Sequence, residues 1–195
     1  MSLKPLAIAM AGLLTLGSGL PIRSQENGSK PKVLDQTGAE ADVSYVPSPA
    51  YPFGRPHPDA PSELEQFAFM VGEFDCIDEM RQRDGSFLRF RAIWNARYFL
   101  NGFGIQDEYW TPRFFTSNVR IYDSASGQWQ VTFFRMPGYQ SGVWQGKKEG
   151  DRMVLRQGGG TSSTGLTFHN IREDGFDWHS GGKTPGWTST CERRR

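Results

Sequence analysis

Residues 91–110 read RAIWNARYFLNGFGIQDEYW. Apolar and polar residues alternate on either side of a single Asn101-Gly102 pair, the pattern of two strands joined by a tight turn with one face away from water. A two-residue type I′ turn there pairs Leu100 with Phe103, Tyr98 with Ile105, Ala96 with Asp107 and Trp94 with Tyr109. These residues share one face. The other face carries Arg97 beside Gln106 and Asn95 beside Glu108, suited to solvent. The aromatic face is therefore the inner one, and Asp107 lies on it.

A carboxylate among aromatic rings is costly unless it is paired or hydrogen-bonded. The next hairpin supplies partners. In SNVRIYDSASGQWQVTFF, residues 117–134, a four-residue turn Ser124–Gly127 sets Tyr122 opposite Trp129, Arg120 opposite Val131 and Asn118 opposite Phe133. Trp129, Val131 and Phe133 form the more apolar set, so this face turns inward and takes Arg120 with it. Asp107, Asn118 and Arg120 form a candidate polar centre, with Trp94, Tyr98, Tyr109, Tyr122, Trp129 and Phe133 as candidate ligand-binding rings around it. One reading is a structural ion pair that fixes register. The other is a pocket whose rings hold an apolar or aromatic ligand while the polar trio orients its polar end. Phe134, Met136 and Tyr139, around RMPGY, are candidates for the pocket mouth.

The rest of the chain follows this hairpin pattern. From Glu73 onward, short strands are separated by RDGS, LNGF, YDSASGQW, RMPGYQSG, KKEGDR, QGGGTSSTG and EDGF, with no helical period between them. Sequential hairpins predict an all-β fold: a closed antiparallel up-and-down barrel of about eight strands, with room for one small ligand. PSELEQFAFMVG precedes it. There Ser62 and Glu65 match a capping box, and Phe67, Met70 and Val71 give a short apolar stripe, predicting one short N-terminal helix over 62–71. Closure makes the first and last strands neighbours, so Cys76 and Cys191 are candidates for a disulfide across the seam; two unbonded thiols are the alternative.

FAFMVGEFDCIDEM, DGS, the glycine-centred hairpin, RIYDSASGQW and GFDWHSGGKTPGW together resemble the bacterial lipocalin-like (calycin) proteins of domain of unknown function 1579 and relatives. The resemblance covers about residues 64–192. The family's opening Gly-x-Trp stands here as Gly72-Glu73-Phe74, and its late Asp-Gly-Gly as Ser180-Gly181-Gly182. What it implies is a barrel; it carries no catalytic residue with it.

Composition narrows the function. The 195 residues open with a lone Lys4, an apolar run Leu6–Leu16, then small residues and Pro21, the pattern of a secretory signal peptide over 1–25. That run is shorter than the roughly 20 residues of a membrane span, so no membrane span is expected in the mature chain. Export to the periplasm or outside the cell is the expectation. Residues 26–61 are polar and then proline-rich, a linker or a strap, and 62–195 are the barrel domain. Removing the cations Lys4 and Arg23 turns the formal charge of +1 into −1, which leaves no cationic excess for nucleic acid.

Other motifs yield less. A two-residue Asp174-Gly175 turn sets Asn170 opposite His179 and His169 opposite Ser180, separating the two histidines onto opposite faces and leaving no metal pair; His57 falls in the solvated strap. In DCIDE, Asp75 and Glu79 point one way and Asp78 the other, giving no convergent acid pair. GGGTSSTG lacks the lysine and helix of a phosphate loop, and Ser162 and Ser163 lack a nucleophile elbow. Arg193–Arg195 read as a solvated strand end. No cofactor is implied. The leading function is an exported barrel binding a small apolar or aromatic molecule, the second an enzyme using Asp107 as acid or base and Arg120 as electrostatic stabiliser. A barrel filled by its own rings would instead be an interaction module.

Overall fold

At Asn101-Gly102 both residues are at positive φ and the Phe103 amide donates to the Leu100 carbonyl (3.1 Å), as in a type I′ turn. Leu100 is at positive φ too, however, and the ladder ends at Phe99 and Gly104, so the expected Leu100–Phe103 strand pair lies within the turn and is exposed. Gly102 is obligatory for a second reason: a Cβ there would lie 2.5 Å from the His57 nitrogen. The computed structural model describes residues 45–158, 165–181 and 185–195. The expected leader, residues 26–44 of the linker and residues 159–164 of the glycine-rich loop lie outside them.

Ten strands follow in order: β1 (Gly72–Arg81), β2 (Phe87–Phe99), β3 (Gly104–Trp110), β4 (Phe115–Asp123), β5 (Gln128–Met136), β6 (Gln140–Glu149), β7 (Arg152–Gln157), β8 (Gly165–Arg172), β9 (Gly175–Ser180) and β10 (Trp187–Arg193). Each pairs antiparallel with its neighbours in sequence, and β10 pairs with β1 to close the barrel. The expected up-and-down architecture is present, with ten strands rather than about eight. One turn the sequence reading passed over is made by a side chain: Thr111 Oγ1 donates to the Phe114 carbonyl (2.9 Å) and accepts from the amides of Arg113 (3.2 Å) and Phe114 (3.1 Å). Of the segment that joins β9 to β10, residues 182–184, with Gly182 of the Ser180-Gly181-Gly182 motif, lie outside the described residues. No helix among the described residues is long and apolar enough to cross a membrane.

The entrance helix, Ser62–Met70, is 3₁₀ throughout, and no side chain caps its start; Ser62 Oγ turns to Glu63 instead, so the expected capping box does not form. The geometry follows from the apolar spacing. Leu64, Phe67 and Met70 recur every three residues, which puts them on one face at three residues per turn, and all three are buried. The helix plugs one end of the barrel, Phe67 meeting Trp129 edge-on at 4.8 Å and Phe168 at 5.7 Å.

Two segments that read as solvated, the C-terminal arginines and the strap at His57, are tied down. Arg193 donates to the carbonyls of Val71 (2.8 Å) and Phe69 (3.2 Å) and lies over the Phe74 ring, while Arg194 pairs with Asp75 at 2.9 Å. A helix C-terminus presents unpaired carbonyls, and Arg193 satisfies them. In the proline-rich strap, His57 stacks on Phe103 at 4.6 Å, its amide donates to the Gly102 carbonyl, and the Tyr98 amide donates to the Phe53 carbonyl. His57 is thus packed rather than solvated.

The β8–β9 register differs from the sequence expectation. Arg172 pairs with Gly175, so Glu173-Asp174 make the turn, and a bulge at Asn170 (φ 48°) shifts the strand so that His169 faces Asp177 and Thr167 faces His179. The two histidines consequently share the outer face, ring centroids 5.1 Å apart, rather than lying on opposite faces. No group of three metal-ligating side chains comes together among the described residues.

Candidate functional site

The β2–β3, β3–β4 and β4–β5 registers fix the polar centre. Ala96 faces Asp107, Asp107 faces Asn118, and Arg120 faces Val131 on one side and Ile105 on the other. Arg120 reaches diagonally back to Asp107. The two form an ion pair, Arg120 Nη1 to Asp107 Oδ2, and Asn118 Nδ2 donates to Asp107 Oδ1 at 2.7 Å. Both charges are out of solvent, Asp107 0% and Arg120 1% exposed. Burial pushes the Arg120 guanidinium down to about 9, so it is still a cation at neutral pH. Its carbon lies over the rings of Phe67 (5.3 Å), Trp94 (5.7 Å) and Phe168 (5.9 Å), whose negative faces favour the charge.

Beyond Arg120, toward the end without the helix, the barrel is hollow. A cavity of about 240 Å³ is bounded by residues from most of the strands. Of the predicted site residues, Trp94, Tyr109, Asn118, Arg120 and Phe133 line it. Asp107 sits behind Arg120. Tyr98, Tyr122 and Trp129 lie elsewhere: Trp129 Nε1 donates to Gln66 of the plug (3.1 Å), Tyr122 packs edge-on against Trp129, and Tyr98 lies under the strap. Phe134, Met136 and Tyr139 point outward, 40%, 51% and 68% exposed; the wall on that side is made by Phe133, Arg135 and Gln140. The sequence reading missed Trp144, Phe168, Trp178 and Trp187, which complete the aromatic wall. The misplaced β8–β9 turn hid the pairing of Phe168 with Trp178.

A second buried polar group flanks the cavity. Asp78, 0% exposed, accepts from the Tyr109 hydroxyl (2.5 Å) and from Trp187 Nε1 (2.8 Å), with Ser189 3.4 Å from the same hydroxyl. Burial raises the Asp78 carboxyl above the usual carboxylate range, its hydrogen bonds with Ser189, Tyr109 and Trp187 pulling the other way. Burial together with the adjacent Asp78 also pushes the Tyr109 hydroxyl up, so it stays protonated. The signal for Asp78 was in the sequence: Phe74, Cys76 and Asp78 share one parity on β1, and the first two are core residues.

The raised Asp78 has a measurable consequence. Its folded form binds the proton more tightly than the unfolded chain, so its contribution to stability is fully present below the unfolded value near 3.8 and is lost as pH rises through the folded value. Relative to wild type, Asp78→Asn is therefore expected to gain stability as pH rises above about 4, by at most about 1.4 kcal/mol per pH unit within the window. Urea unfolding of both proteins across the acid range measures this; a pH-independent difference would contradict it.

Cys76 and Cys191 are direct cross-strand partners between β1 and β10 and are joined by a disulfide, closing the seam covalently. Comparison of the sequence with protein-family models gave no match, and comparison with curated proteins gave none.

Proposed function

We propose that this chain is an exported, lipocalin-like barrel protein that holds one small apolar or aromatic molecule inside its barrel. The observation that carries the reading is the 240 Å³ cavity walled by Trp94, Phe133, Trp144, Phe168 and Trp178, with the Arg120 and Asn118 side chains at its inner end. Apolar walls with a few convergent polar groups are the usual composition of a ligand site. The closed ten-strand architecture and the turn motifs support membership among the lipocalin-like proteins. The seam disulfide supports folding in an oxidising compartment, in keeping with the leader-like N-terminus.

The enzymatic alternative draws less support. Asp107 is paired with Arg120 and Asn118 and does not line the cavity, so it is not presented to a reacting group there. Titrations with cinnamyl alcohol and with cinnamate, followed at the tryptophan indole N–H resonances, test the binding reading. Shifts confined to cavity tryptophans are expected, and their absence with both probes would reject it.

A further inference from the structure

The cavity wall is one-sided in charge. Its described residues include two cations, Arg120 and Arg135, and no carboxylate. Both nearby acids are already covered, Asp107 by Arg120 and Asn118, and Asp78 by Tyr109 and Trp187. Asp107 neutralises Arg120, so the net charge on the wall comes from Arg135. Among the described residues Arg135 has no acidic partner; it lies over the Phe114 ring at 4.3 Å and donates to Gln140 Oε1 at 3.4 Å.

The unsatisfied groups have the same polarity. Three buried N–H donors on lining residues, Trp94 Nε1, Trp178 Nε1 and Arg120 Nε, have no acceptor, whereas no lining residue carries a buried acceptor without a partner. These three donors are closed off from the cavity as well as from bulk solvent, so the Arg135 charge is what selects a ligand there. A ligand that brings negative charge meets that cation. One that brings an ammonium meets a like charge.

From this we infer that the natural ligand is a compact aromatic carboxylate, its ring among the wall tryptophans and its carboxylate facing Arg135. This rests on the binding reading above and narrows it. The cavity is smaller than the roughly 300 Å³ at which ordinary ligand pockets begin, which suits one ring and a short acid tail rather than a long chain.

Calorimetry with three probes of the same shape tests it: cinnamate, cinnamyl alcohol and cinnamylamine. Cinnamate is expected to bind about tenfold or more tighter than the alcohol, the scale of one charge-assisted hydrogen bond, and the amine is expected not to bind. In the Arg135→Met variant cinnamate should bind no tighter than the alcohol binds to that same variant, while Arg135→Lys keeps the preference. The alcohol or the amine binding as tightly as the acid overturns the anion assignment and leaves the pocket reading standing. So does a preference for the acid that survives Arg135→Met. Failure of all three probes overturns both.

Discussion

Replacing Arg120 by methionine is expected to destabilise the fold by about 3–5 kcal/mol, because it leaves the Asp107 carboxylate buried and without its cation. Asn118 still donates one hydrogen bond, which cannot replace the charge. The double replacement Asp107→Leu with Arg120→Met removes the uncompensated charge along with the pair. Such swaps of a buried ion pair for apolar residues are often neutral or stabilising by about 1–4 kcal/mol, so the double variant should recover most of the loss. Guanidinium unfolding of wild type, both single variants and the double variant gives the coupling directly. Additive single effects would show that the two charges do not depend on each other.

Removal of the seam disulfide should have a comparable effect. The bond joins residues 115 apart, and constraining a loop of that length in the unfolded chain stabilises by up to about 4.7 kcal/mol in the chain-entropy model. Cys76→Ser with Cys191→Ser is expected to lower the unfolding midpoint accordingly, and a reducing agent should lower wild type to the same level without affecting the variant. Peptide mapping without reduction should recover the fragments containing Cys76 and Cys191 joined. Two freely alkylated thiols in protein prepared under oxidising conditions would remove the covalent seam from the account.

Much of the barrel could be read before any coordinates because its informative turns are short and chemically strict. Asn101-Gly102 allows one register for β2 and β3, and the Ser124–Gly127 turn allows one for β4 and β5; together they place Asp107, Asn118 and Arg120 on one interior face. The sequence gives no equal constraint at Asp174-Gly175. There the turn begins one residue earlier, and the bulge at Asn170, whose side-chain Nδ2 donates to Asp177 Oδ2 at 2.8 Å, shifts the register. Asn tolerates the left-handed backbone, so its presence in a strand was the available sign of a bulge. The Thr111 turn lacks glycine and depends on a hydroxyl that bridges three backbone groups, which composition alone does not announce.

The division of the interior was the least legible part. Alternation told which side chains face inward, but not how deep each lies along the barrel axis. Trp129 and Trp94 both point in; one is covered by the plug and the other lines the cavity. That depth is set by where Phe67 and the rest of the 3₁₀ helix stop, a long-range packing outcome with no local sequence signal.

Whether the hollow half of the barrel is a ligand site can be read at the six tryptophans of the chain. Trp94, Trp144, Trp178 and Trp187 line the cavity, Trp110 is on the outer surface and 46% exposed, and Trp129 lies under the helix. In titrations with cinnamyl alcohol and with cinnamate monitored by indole ¹H–¹⁵N spectra, the four cavity resonances are expected to move together and saturate while those of Trp110 and Trp129 stay in place. Movement of Trp110 alone, or no saturable movement of the cavity four with either probe, would rule the ligand site out.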